Sequence, residues 1–153
     1  MTIFAEVASQ WQIADNGFSA LEQAAFLAND DVAFDKAGEQ RKRNDQAYFL
    51  YLFTRFEDAV NRAVEVILAN RVVGVQWTDR RIWEDWSRGD VREVSFLSRV
   101  RILMDKTRND YANVQSYYNG RNKVAHGGEW TEEFFIPTIA QQMATLCSSF
   151  PMH

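Results

Sequence analysis

One cysteine, two prolines and two histidines are spread over 153 residues, and each scarcity removes a class of protein. Cys147 has no second thiol, so an internal disulfide and a thiolate metal site are both excluded. Its expected place is a small apolar position in the core, and a reducing, cytoplasmic setting suits it. One histidine, His153, is the last residue, which leaves His126 as the one internal imidazole. A zinc site needs more ligands than that, so neither a metal nor a cofactor is expected. No stretch approaches the roughly 20 apolar residues that cross a bilayer. Met1 to Gln10 carries one charge, Glu6, and lacks the basic start and long apolar run of a signal peptide, so none is expected. No membrane partner is expected. Glycine-rich phosphate loops, dinucleotide fingerprints and nucleophile-elbow sequences are also missing.

The composition supplies a core instead. Hydrophobic residues make up 46% of the chain, enough for one domain of ordinary size over residues 1–153. Net charge is −4, which taken alone disfavours a nucleic-acid partner. Its distribution points the other way. Residues 1–40 hold one basic and seven acidic residues, residues 41–126 hold sixteen basic and eleven acidic, and residues 127–153 hold three acidic and no Lys or Arg. An acidic protein can carry a local basic surface that meets phosphates. Solvated helix faces would produce the same count.

Few breakers and a three- and four-residue apolar spacing predict an all-α fold, a bundle of about five to seven helices. The clearest helix covers about 31–70, where Tyr48, Tyr51, Leu52, Phe56, Ala59, Val60, Ala63, Val64, Ile67 and Leu68 share one face. Ahead of it, Ile3–Ile13 and Phe18–Asn29 read as two short helices separated at Asn16–Gly17. Further helices are expected at Asp79–Arg88, at about 91–107 and at about 110–126. Gly127–Gly128 closes the last of these as a C-terminal cap. Pro137 then opens a final helix running to about Ser149. Residues 40–150 read as the core bundle and residues 1–39 as a helical extension.

The segment Tyr117-Tyr118-Asn119-Gly120-Arg121-Asn122-Lys123-Val124-Ala125-His126-Gly127 carries the chemistry. Histidine titrates near neutral pH and moves protons. Arginine presents a fixed, charged fork that suits phosphate. Asparagine can hold a hydroxyl or a phosphate oxygen. RNA brings its own nucleophile, the 2′-hydroxyl beside the scissile phosphate, so a base and a phosphate clamp suffice for transesterification. On a helix Arg121 and His126 lie about 140° apart, whereas Asn122 and His126 share a face. From the residues alone the signal is weak, because a lone histidine at a helix end is more often structural, its positive form stabilised by the helix dipole.

Arg121-Asn122-Lys123-Val124-Ala125-His126-Gly127 resembles the Arg-x(4–6)-His motif of the HEPN superfamily, whose position after the arginine is often Asn, Asp or His. The order of elements is similar too: long amphipathic helices, the motif near the end of a late helix, and one closing helix. The resemblance covers residues 40–150. It implies a metal-independent endoribonuclease in which His126 acts at the 2′-hydroxyl, Arg121 holds the phosphate and stabilises its charge, and Asn122 positions one of them. It further implies a homodimer with both motifs at a shared cleft. Membership of a toxin–antitoxin or defence system, with an antitoxin protein as partner, is implied as well. Some members of the superfamily only bind. A non-catalytic module for RNA, nucleotide or protein is therefore the alternative, and an unrelated helical interaction module is the third.

Arg99, Arg101, Lys106, Arg108 and Lys123 are candidates for guiding an RNA backbone, because residues 99–126 hold six basic and two acidic residues. Arg41-Lys42-Arg43 could line the same groove or form a solvated turn. Glu57 or Asp58 could offer a carboxylate to Arg121 or His126. Trp77, Trp83, Trp86 and Trp130 could stack bases, although core or dimer packing is the commoner use.

Overall fold

The computed structural model describes residues 2–73, 76–87, 89–128 and 135–151. Within these residues the chain is all-α, with six helices, one 3-10 turn and no strand. Helix α1 spans Ile3–Leu27, α2 Asp31–Val72, α3 Trp77–Ser87, α4 Phe96–Leu103, α5 Asn109–Ala125 and α6 Ile136–Ser148, with the 3-10 turn at Val91–Glu93. No helix among the described residues is long and apolar enough to cross a membrane. The helices gather into two compact units: residues 1–53 with 120–144, and residues 54–119 with 145–153.

The first unit has α1 and the start of α2 as its longest elements. Thr2 caps α1, its hydroxyl accepting from the Ala5 N–H. The helix runs without interruption through Asn16–Gly17, where the sequence suggested a break. Two observations account for the continuity. The Asn16 side chain is occupied on the helix surface, accepting from Gln12 Nε2 at 3.0 Å. Phe4, Val7, Trp11, Asp15 and Ala25 form one buried stripe along the whole element, and tertiary burial outweighs the modest penalty of a helical glycine. Trp11 packs edge-on against Phe135, ring centroids 5.4 Å apart. Ile136, Ile139, Ala140 and Met143 of α6 are buried. In this unit residues 1–39 belong with residues 120–144.

Helix α1 ends in a Schellman cap. Asn29 is left-handed at φ 51°, Asp30 N–H donates to Ala25 O at 3.0 Å, and Asn29 N–H to Phe26 O at 3.1 Å. Asp30 then starts α2, its carboxylate accepting from the Ala33 N–H at 2.9 Å. A single turn thus stops one helix and nucleates the next.

Along α2 the buried stripe is Phe49, Leu52, Phe53, Phe56, Val60, Ala63, Val64 and Leu68. It includes Phe49 and Phe53, which the expected face omitted. Tyr51 was placed on that face but is 40% exposed. Spacings of 49, 52, 53, 56 and 60 keep the regular helical step, so the apolar face is rotated by about one residue at its N-terminal end.

In the second unit, Phe56 meets Phe96 at 6.3 Å and Phe150 at 6.2 Å, and Phe96 stacks on Tyr118 at 5.2 Å. The helix expected over 91–107 is shorter than its apolar spacing suggests. Asp90 caps the 3-10 turn, Ser95 caps α4 by accepting from the Ser98 N–H, and Met104 is already extended. Two capping residues five apart divide the segment, because each offers its own side chain to a helix start. Helices α2, α3, α5 and α6 agree with the expected elements within a few residues.

Candidate active site

Arg121, Asn122 and Lys123 lie on the last turns of α5, and His126 follows its final helical residue, Ala125. The helix stops there for a covalent reason. Gly127 has φ +78°, a region open to glycine and costly for most side chains. Gly127 N–H donates to Val124 O at 3.0 Å and Gly128 N–H to Lys123 O at 2.9 Å. These are the two bonds of a Schellman cap. His126 N–H meanwhile donates to Asn122 O at 3.1 Å and Lys123 O at 3.2 Å. The backbone of His126 is therefore held on both sides while its side chain is exposed.

Arg121 and Asn122 are half-buried. Arg121 Nη1 donates to Asn122 Oδ1 at 3.0 Å. That bond orients one edge of the guanidinium without neutralising it, since Asn is uncharged. Neither Arg121 nor His126 forms an ion pair with a described residue. Upstream on the same helix, burial pushes the Tyr117 hydroxyl above its usual range, which keeps it protonated as a hydrogen-bond donor.

The five basic candidates separate. Lys123 is exposed beside the motif. Arg101, Lys106 and Arg108 are exposed in the second unit. Lys106 and Arg108 flank a braced turn: Asp105 accepts from Thr107 N–H at 2.9 Å and from its hydroxyl at 2.8 Å. Those bonds, with the charges of Arg108 and Lys106, hold the Asp105 carboxyl below its ordinary range. Arg101 Nε donates to the Tyr111 hydroxyl at 3.4 Å.

Arg99 is a correction to the expected set. It is 4% exposed, with Nη2 donating to Glu57 Oε1 at 2.8 Å and Nη1 donating to Asn61 Oδ1. Its guanidinium lies over the Phe96 ring at 5.6 Å. An arginine so enclosed joins helices and offers nothing to a phosphate backbone. Glu57 is thereby committed to Arg99. Asp58 pairs with Arg55 at 3.8 Å.

Arg41, expected in a groove or on a solvated turn, is held in an ion-pair cluster while its side chain stays 35% exposed. Nε and Nη2 grip the Asp15 carboxylate at 2.5 and 2.9 Å, and Nη1 reaches Glu22 at 2.9 Å. The Asp15 hydrogen bond is the largest influence raising the Arg41 pKa, against burial, so the guanidinium stays charged. Beside this pair Trp11 Nε1 donates to Asp45 Oδ1 at 2.7 Å. Sequence inspection missed the group because a break at Asn16–Gly17 would separate Asp15 from Glu22. On an unbroken helix Trp11, Asp15 and Glu22 fall four and seven residues apart, on one face.

Among the tryptophans, Trp77 is 61% exposed, with the Arg81 guanidinium 5.3 Å from its ring centroid. Trp83 lies under Arg71 at 5.9 Å, Trp86 is half-buried, and Trp130 lies outside the described residues. No group of three or more His, Cys, Asp or Glu among the described residues could hold a metal ion. No family model, no curated protein and no solved structure matches the chain.

Proposed function

We propose that this chain is an endoribonuclease of the HEPN type that cleaves RNA by 2′-hydroxyl attack without needing a metal ion. The observation that carries the proposal is the end of α5. Arg121, which has no ion pair among the described residues, is bonded to Asn122, and an exposed histidine follows on a backbone held by a cap. His126 takes the proton of the 2′-hydroxyl. The O2′–P bond forms, the P–O5′ bond breaks, and the leaving oxygen takes a proton from solvent. Arg121 meets the charge that builds on the phosphoryl oxygens. Products are a 2′,3′-cyclic phosphate and a 5′-hydroxyl.

On a regular helix Arg121 and His126 project about 140° apart, which suits a site shared by two copies better than one built from a single copy. A homodimer with the two motifs facing one cleft is part of the proposal. So are a cytoplasmic setting and a role as toxin or defence effector, with an antitoxin as further partner. Exposed Arg101, Lys106, Arg108 and Lys123 would guide the RNA backbone.

The same angular separation favours one second reading, a non-catalytic module that binds RNA, a nucleotide or a protein. Purified protein incubated with mixed cellular RNA in EDTA, wild type beside His126→Ala, decides between them. Cleavage by wild type to cyclic phosphate ends, abolished in a folded mutant, supports the nuclease. RNA retention without cleavage by either protein supports the binding module.

A further inference from the structure

We infer that Gly127 and Gly128 are positioning residues for His126, setting where its imidazole stands for the reaction proposed above, on which this inference rests. Two independent constraints favour glycine here. At 127 the constraint is conformational: φ is +78°, yet a Cβ would meet no atom of the described residues within 4 Å. At 128 the constraint is spatial: a Cβ would lie 3.1 Å from Lys123 O. That oxygen is backbone and already accepts from Gly128 N–H at 2.9 Å and His126 N–H at 3.2 Å, so it cannot yield without disturbing His126.

The cap does more than stop a helix. If residue 127 took a right-handed conformation, α5 would wind on and carry residue 126 into its interior, changing what surrounds the ring. If the cap frayed, the His126 backbone would lose its fixed position. Either change displaces a proton-transfer group whose placement matters at the ångström scale.

The chain itself shows which substitution should be harmless. Asn29 occupies the equivalent place at the end of α1, at φ 51°, with the same pair of bonds, Asp30 N–H to Ala25 O and Asn29 N–H to Phe26 O. Asparagine tolerates the left-handed region, and no described residue crowds a Cβ at 127. Gly127→Asn should therefore keep the cap, and Gly127→Val should break it, because a β-branched side chain strongly resists positive φ.

The test is steady-state RNA cleavage by the full chain as wild type, Gly127→Asn, Gly127→Val, Gly128→Ala and His126→Ala, with thermal unfolding of each. We expect Gly127→Val and Gly128→Ala to lose about tenfold to a hundredfold in kcat with little change in KM, and Gly127→Asn to stay close to wild type. If Gly127→Val does not fold, the milder Gly128→Ala decides. Wild-type kcat in a folded Gly127→Val or Gly128→Ala protein overturns the inference and leaves the nuclease standing. A change confined to KM overturns it equally, since the cap would then act on binding. Absence of cleavage by the wild type overturns both, and cleavage that survives His126→Ala overturns the assignment to His126 and the cap with it.

Discussion

Arg121 is oriented by the residue next to it, through the 3.0 Å bond from its Nη1 to Asn122 Oδ1. Adjacent helical side chains diverge by about 100°, so the two meet only because the long arginine folds back over the shorter amide. The bond occupies one edge of the fork and leaves its charge whole.

Removing that acceptor should cost activity more than stability. Asn122→Ala is expected to lower kcat/KM about tenfold, equivalent to ~1.4 kcal/mol of transition-state stabilisation. Asn122→Asp keeps an oxygen for Arg121 but places a negative charge beside the phosphate. Its KM should rise most at low salt, where charges are least screened. Cleavage assays at two ionic strengths check both outcomes.

The basic residues should divide sharply when RNA binding is titrated against salt. Lys106→Ala and Arg108→Ala, on an exposed and braced turn, should each reduce the slope of log affinity against log salt by about one. Arg99→Met should leave that slope alone. Its effect belongs in a urea titration, where stripping the buried partner from Glu57 should destabilise the fold by about 3 kcal/mol.

Asp45 offers a pH dependence whose sign can be worked out. Burial, the largest influence, pushes its carboxyl above the ordinary range, against the hydrogen bond from Trp11. The folded state therefore binds this proton more tightly than the unfolded state. The resulting stability is fully present below the unfolded value and is lost as pH rises through the folded one. Ionising this half-buried carboxyl therefore works against folding. Asp45→Asn retains an oxygen to accept from Trp11 Nε1, so the variant should be at least as stable as wild type at pH 7. Its advantage should shrink as pH falls through the Asp45 titration. Denaturant midpoints measured from pH 3 to pH 7 would show this, and a growing advantage toward acid would contradict it.

Cys147 should be inert in the native protein. Burial pushes its thiol up to about 12, only partly offset by the Arg62 charge, and the thiolate is the reactive form. Disulfide-reagent labelling at pH 8 should be at least tenfold slower in the native protein than in urea.

Much of the fold was legible because it follows from spacing. The apolar steps along 31–70 and the Gly127–Gly128 signal each marked an element that exists, α2 and the end of α5. Boundaries set by competing local signals were not legible. Asn16–Gly17 carries the dipeptide of a turn, yet α1 passes through it because Trp11 and Asp15 on one side and Ala25 on the other are buried together. Ser95 looked like an ordinary helical residue until it proved to cap α4.

The sequence by itself determined that the chain is helical, that its one internal histidine stands five residues after an arginine, and that two glycines follow it. These are consequences of residue type and period, which act over a single helical turn. Only the tertiary structure decided which charges are available. Arg99 and Arg41 read as surface cations like Arg101 and Lys106. They are instead held by Glu57 with Asn61 and by Asp15 with Glu22, partners 42, 38, 26 and 19 residues away. A guanidinium is drawn to whichever carboxylate the packing brings within reach, and that choice depends on distance in space rather than on neighbours in the chain.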